Sequence, residues 1–222
     1  MSAWSPAVVG LSGLLFIAPA TAGGEEAAGT RPLLRADRGT LPAILPSDTH
    51  LLLEADAIER FLDGLDGDPP DWATVYGRGL HDPGHDDRLF NLNRERDVKR
   101  EGRPVLQWRV AFVWYGELSA FDPKAGGFRV TIGPKFTQTR WGIVRFKADN
   151  LPGNLMAIPN PSLRESLRRK FEKGERIEID MVMTGRLIPD ESLVYDFSHE
   201  EEGQGLIMPV IRVERVYYLL AR

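Results

Sequence analysis

From Gln107 onward the chain alternates apolar and polar residues with a period of two, interrupted once by a segment of helical period. That order restricts the second half to a small set of β architectures. In Phe128-Arg-Val-Thr-Ile132, Phe128, Val130 and Ile132 share one face while Arg129 and Thr131 share the other. Ile177, Ile179 and Met181 alternate with Glu178 and Asp180, and Ile211 and Val213 with Arg212 and Glu214. Strands are expected at Gln107 to Leu118, Phe128 to Ile132, Trp141 to Lys147, Arg176 to Leu187 and Met208 to Leu220. A helix, Ser162 to Lys173, stands between the third and the fourth. Ser162 is placed to cap it and Glu165 completes a capping box; Leu163, Leu167 and Phe171 form its apolar stripe, and Gly174 ends it.

A chain that reads strand, strand, strand, helix, strand, strand resembles the OB-fold, a small Greek-key barrel. The resemblance covers residues 106–220 and rests on topology. It implies a mainly β protein with a five-stranded OB-like barrel, one helix between strands three and four, and binding rather than catalysis. It also places a ligand on the face of strands two and three, between the loop joining strands one and two and the loop joining four and five. The first of these loops, Phe121 to Gly127, is a tight turn. The second, Pro189 to Gly205, is long and holds Asp190, Glu191, Asp196, Glu200, Glu201 and Glu202 without a Lys or Arg. Lys135, Phe136, Arg140, Trp141 and Arg145 are therefore expected to form one wall of a binding site, with Tyr195 and the loop to Glu202 as the other.

The first half is read differently. Ala7 to Ala22 is an uncharged apolar run ending on small residues, so residues 1–22 are expected to be a signal peptide cleaved after Ala22. The mature chain would then be exported to the periplasm or the extracellular space, beginning with a flexible terminus at 23–40. It contains no cysteine, which excludes disulfides, thiol catalysis and Cys-ligated zinc. Residues 41–105 are expected to form a partly helical N-terminal extension or subdomain on the barrel domain, 106–222. Its clearest element is Asp56 to Leu65, where Ile58, Phe61, Leu62 and Leu65 recur at helical spacing.

Charge is distributed in blocks that the overall value of −4 conceals. Residues 23–105 carry 11 basic and 17 acidic side chains, residues 123–176 carry 12 and 4, and residues 177–222 carry 4 and 9. Opposed blocks in one compact fold neutralise each other, so the basic block does not by itself indicate an anionic partner. Lys135, Phe136, Arg140 and Trp141 sketch the mixture of aromatic and basic residues that single-stranded nucleic acid requires, but six acids on the facing loop would repel phosphate. Two tracts have metal-ligand chemistry without established spacing: His81-Asp-Pro-Gly-His85-Asp-Asp87 and Asp196-Phe-Ser-His199-Glu-Glu-Glu202. No GxSxG, Walker or HExxH motif occurs. The sequence thus points to an exported, soluble, non-catalytic protein without a cofactor, binding an envelope protein or saccharide. The rivals are a metal-dependent hydrolase using either the His81–Asp87 cluster, with His81 and His85, or the Asp196–Glu202 cluster, with Asp196 and His199, and a single-stranded nucleic-acid binder.

Overall fold

The computed structural model describes residues 29–36, 38–78, 82–198 and 203–220. The chain runs β1 (Thr30–Arg35), a 3-10 turn, α1 (Leu41–Ile44), β2 (Thr49–Leu51), α2 (Ala55–Asp66), α3 (Trp72–Tyr76) and α4 (His85–Arg100). After the turn Pro104–Gln107 come β3 (Arg109–Asp122), β4 (Gly127–Gly133), β5 (Phe136–Thr139), β6 (Gly142–Arg145), β7 (Lys147–Asp149) and β8 (Met156–Ile158). Then follow α5 (Pro161–Glu172), β9 (Glu178–Leu187), β10 (Leu193–Phe197) and β11 (Gly205–Leu220).

Six of these strands close into a mixed barrel in the order β1-β8-β4-β3-β9-β11, with β11 returning to β1. The expected count was five. The sixth, β1, lies in the segment expected to be a flexible terminus. It runs parallel to both neighbours, pairing Thr30–Pro32 with Met156–Ile158 and Leu33–Arg35 with Tyr218–Leu220. Pro32, which has no N–H to donate, sits where one partner gives way to the other. The side chain of Leu33 enters the barrel core, and the Tyr218 hydroxyl donates to the Gly29 carbonyl at 2.7 Å. Burial pushes the Tyr218 phenol well above its ordinary pKa.

The strand expected at Trp141 to Lys147 does not close the barrel. It divides into β6 and β7, both parallel to β11, and the chain breaks away at Asn150, a non-glycine residue with φ 57°. The barrel position is taken by β8, three residues long, which pairs with β4 and β1.

Inward residues follow the alternation. Phe112, Leu118, Phe128, Val130, Ile179, Met181, Met183, Val216 and Tyr218 fill one core. Helices plug its two ends. The α5 side chain of Phe171 meets Phe128 near the β3–β4 turn, while α2 places Phe61 against Trp108 just before β3 begins. Asn160 caps α5 by accepting from the Leu163 N–H at 2.9 Å, two residues earlier than the expected cap at Ser162. In α2, Ile58, Phe61, Leu62 and Leu65 are all buried, each stabilising the fold by about 1.5–3 kcal/mol. Because these residues join the barrel's own core, α2 is built into the barrel end. A second apolar layer covers the outside of the wall, where Leu41 and Leu45 pack on Ala111, Val113, Val182 and Leu219.

Candidate functional site

Strand β11 is 16 residues long, more than the barrel needs. Its first half projects beyond the barrel and carries a second sheet in the order β10-β11-β6-β5. This projecting sheet holds the candidate residues. The loop expected from Pro189 to Gly205 is in part β10, an antiparallel partner of β11.

The six expected ligand-binding residues separate into two groups. Trp141 and Tyr195 are 0% and 1% exposed and face the core. The Trp141 indole N–H donates to Asp63 Oδ1 at 3.0 Å, and its carbonyl accepts from the Trp72 indole at 2.6 Å. Arg140 is tied to α2, its backbone N–H donating to Glu59 at 2.7 Å and its guanidinium pairing with Asp63. Trp141 and Arg140 fasten the β5–β6 hairpin to the helical layer, and Tyr195 fastens β10 to it through Asp66. Lys135, Phe136 and Arg145 form the other group. Phe136 is 40% exposed, and the Arg145 guanidinium lies 6.0 Å from its ring centroid, the geometry of a cation–π contact. Arg145 also approaches the Met208 sulfur at 3.1 Å, which holds it over the ring.

The two terminal strands of the projecting sheet are treated differently. At β10, the bonds from Val210 to the Ser192 carbonyl and from Ser198 to the Gln204 carbonyl place the even-numbered residues toward β11. Leu193, Tyr195 and Phe197 therefore present their backbone groups at the free edge, and α4 covers it. The Asn93 side-chain amide accepts from the Tyr195 N–H and donates to the Tyr195 carbonyl, both at 2.9 Å, as a neighbouring strand would. Arg100 donates to the Leu193 carbonyl at 3.0 Å, and the Asp196 carboxylate accepts from the Phe197 N–H at 2.8 Å. At the opposite side, among the described residues, β5 pairs with β6 alone.

Behind the masked edge lies a buried ionic cluster that the sequence did not reveal. Asp66 on α2, with a side chain 0% exposed, pairs with Arg100 at 3.0 Å and Arg96 at 3.2 Å and accepts from the Tyr195 hydroxyl. Burial first, and then the Asp66 charge, push the Tyr195 phenol far above its ordinary pKa. The cluster clamps α2, α4 and β10 together. Spacing could have hinted at it, since Arg96 and Arg100 lie four residues apart on one helical face.

Of the metal-ligand candidates, His81 and His199 lie outside the described residues. His85 donates from Nδ1 to the Asp82 carbonyl at 2.8 Å and packs its ring 4.9 Å from that of Phe197, so the two tracts meet at this contact. Asp82 accepts from the backbone N–H groups of Arg78 and Gly84 and pairs with Arg88. Those backbone bonds first, and Arg88 after them, lower its pKa to about 2. Asp196 is occupied by the Phe197 N–H. Among the described residues, no group of three or more His, Asp or Glu side chains converges as metal ligands would. Nor is any helix there long and apolar enough to cross a membrane.

No family model, no curated protein and no solved structure matches this chain.

Proposed function

We propose that this is an exported, non-catalytic binding protein that captures an extended segment of an envelope protein along β5. The observation that carries the reading is the asymmetry of the projecting sheet. One terminal strand is masked by Asn93, Arg100 and Asp196, while the other is left beside an exposed aromatic ring with a cation stacked on it. Proteins normally blunt a terminal strand because its free backbone groups recruit other chains, so a strand whose one strand partner among the described residues is β6, beside an exposed ring, suits strand addition, although α2 packs on its Arg140 end. Lys135 just before β5 and Arg145 stacked on Phe136 make this edge positive, which selects a segment with acidic residues flanking an apolar one. Export rests on the apolar run at 7–22.

An OB-like origin is compatible with the barrel. Leaving β1 aside, the pairs β3–β4, β4–β8, β9–β11 and β3–β9, with α5 between β8 and β9, follow the order of that fold. The inserted strand is then this chain's own addition.

The test is a peptide array of acidic-apolar decamers, with selected binders titrated calorimetrically against the mature chain. Binding is expected to weaken with salt and to be lost in Phe136→Ala and Arg145→Glu at unchanged thermal stability. Binders indifferent to both substitutions, or basic peptides bound equally well, would sink the proposal. Saturable binding of oligosaccharides alone would favour a saccharide ligand instead.

A further inference from the structure

The outer wall of the barrel, remote in sequence from the β5–β6 hairpin, carries two adjoining clefts. One, of about 470 Å³, lies between β1 and β11; the other, of about 440 Å³, continues from it toward β9. Ile44 and Arg215 line both. Among the described residues, one lining residue of each carries a buried hydroxyl without a hydrogen-bond partner: Tyr217 Oη in the first and Thr184 Oγ1 in the second. Thr184 is 1% exposed. Orphaned buried donors are rare in native proteins, because each loses its hydration without replacement.

The cause is local. A β-bulge between Val213 and Arg215 leaves both Glu214 and Arg215 exposed on the wall. Arg215 then stands directly opposite Thr184 on β9 and two residues before Tyr217 on the same strand. Glu214 is engaged by Arg109 at 2.9 Å and Arg186 at 3.4 Å. Among the described residues Arg215 has no acidic partner within ion-pair distance, unlike Arg109 and Arg186. Thr184, Arg215 and Tyr217 thus form a row of three donors beside an apolar strip of Pro32, Leu34 and Ile44.

We propose that these clefts bind a small amphiphile with an anionic head, its carboxylate or phosphate taken by Arg215 and the two hydroxyls and its apolar body laid along Pro32, Leu34 and Ile44. The combined space is within the range of small-molecule sites. A neutral headgroup would leave Arg215 without its counter-charge, so the site discriminates by charge as well as by shape.

Calorimetric titration of the mature chain with octanoate and with octanol tests this. Octanoate is expected to saturate a single site at least tenfold more tightly than octanol. Arg215→Gln should weaken octanoate roughly tenfold, the scale of one charge-assisted hydrogen bond, and leave octanol unchanged. Tyr217→Phe and Thr184→Val should each weaken octanoate, yet raise the thermal midpoint of the ligand-free chain, because a hydroxyl buried without a partner is removed. Phe136→Ala should alter none of these values, which separates this site from the peptide edge. Equal binding of octanoate and octanol, absence of any binding, or octanoate affinity indifferent to Arg215→Gln would overturn the proposal. Lowered midpoints in both hydroxyl variants would show the clefts to be hydrated surface only, and would overturn it as well.

Discussion

Replacing Asp66 by alanine tests the ionic cluster that holds the helical layer to the projecting sheet. Its carboxylate accepts from Arg96, Arg100 and Tyr195 and is wholly removed from solvent. The substitution leaves the Arg100 guanidinium, whose side chain is 2% exposed, with Asp97 as its remaining carboxylate partner and the Leu193 carbonyl as its other acceptor. Breaking a buried pair from one side costs about 3–5 kcal/mol, because the surviving charge stays desolvated. For a chain of this size that corresponds to a fall in thermal midpoint on the order of 10 °C. Urea unfolding followed by circular dichroism should show the midpoint shift at an unchanged slope. The exposed pair Arg168 and Glu172 on α5 supplies the control, since a solvent-screened helix pair contributes only about 0.3–0.5 kcal/mol. If Asp66→Ala costs no more than Glu172→Ala, the cluster does not clamp α2, α4 and β10, and the account of the masked edge fails with it.

Two further substitutions probe single contacts. Asp82 titrates at about 2 in the folded chain against 3.8 as its ordinary value. Its stabilising effect is therefore complete above pH 4 and is lost as the pH falls through 2. Asp82→Asn should flatten the acid limb of a thermal-midpoint profile in that window, and an unaltered limb would assign the acid sensitivity elsewhere. A Cβ added at Gly205 would lie 1.8 Å from the Trp72 ring, so Gly205→Ala must displace that indole and its 2.6 Å bond to the Trp141 carbonyl. The expected result is a loss of about 1–3 kcal/mol, and the Trp72→Phe/Gly205→Ala pair should lose less than the sum of its parts.

Much of the β framework was legible because its signals are local. The alternation in 128–132, 177–181 and 211–213 identifies the inward face of three strands without reference to any partner. Likewise Ile58, Phe61, Leu62 and Leu65 mark one buried helix face. The stretch 141–147 was legible as extended chain, but nothing local states that it would pair with β11 while Met156–Ile158 took its place beside β4. Strand β1 was illegible for the same reason. Six residues containing Pro32, with a single inward side chain at Leu33, show no alternation to detect.

The binding residues divided along this line. Trp141 and Tyr195 have the composition of a recognition surface, each with one charged neighbour in sequence, Arg140 and Asp196. Only the packing of α2 and α4 decides that both rings are buried. Phe136 and Arg145, nine residues apart, come together because β5 and β6 form a hairpin with those two residues in register. Thr184, Arg215 and Tyr217 are joined through strand pairing and a bulge, which one-dimensional periodicity cannot express. Local sequence thus determined which face of each strand and helix is apolar, since periodicity is a property of the segment itself. Which strands close the barrel, which edge is masked and which polar groups are left without partners depend on contacts between distant residues, and the tertiary structure alone decided them.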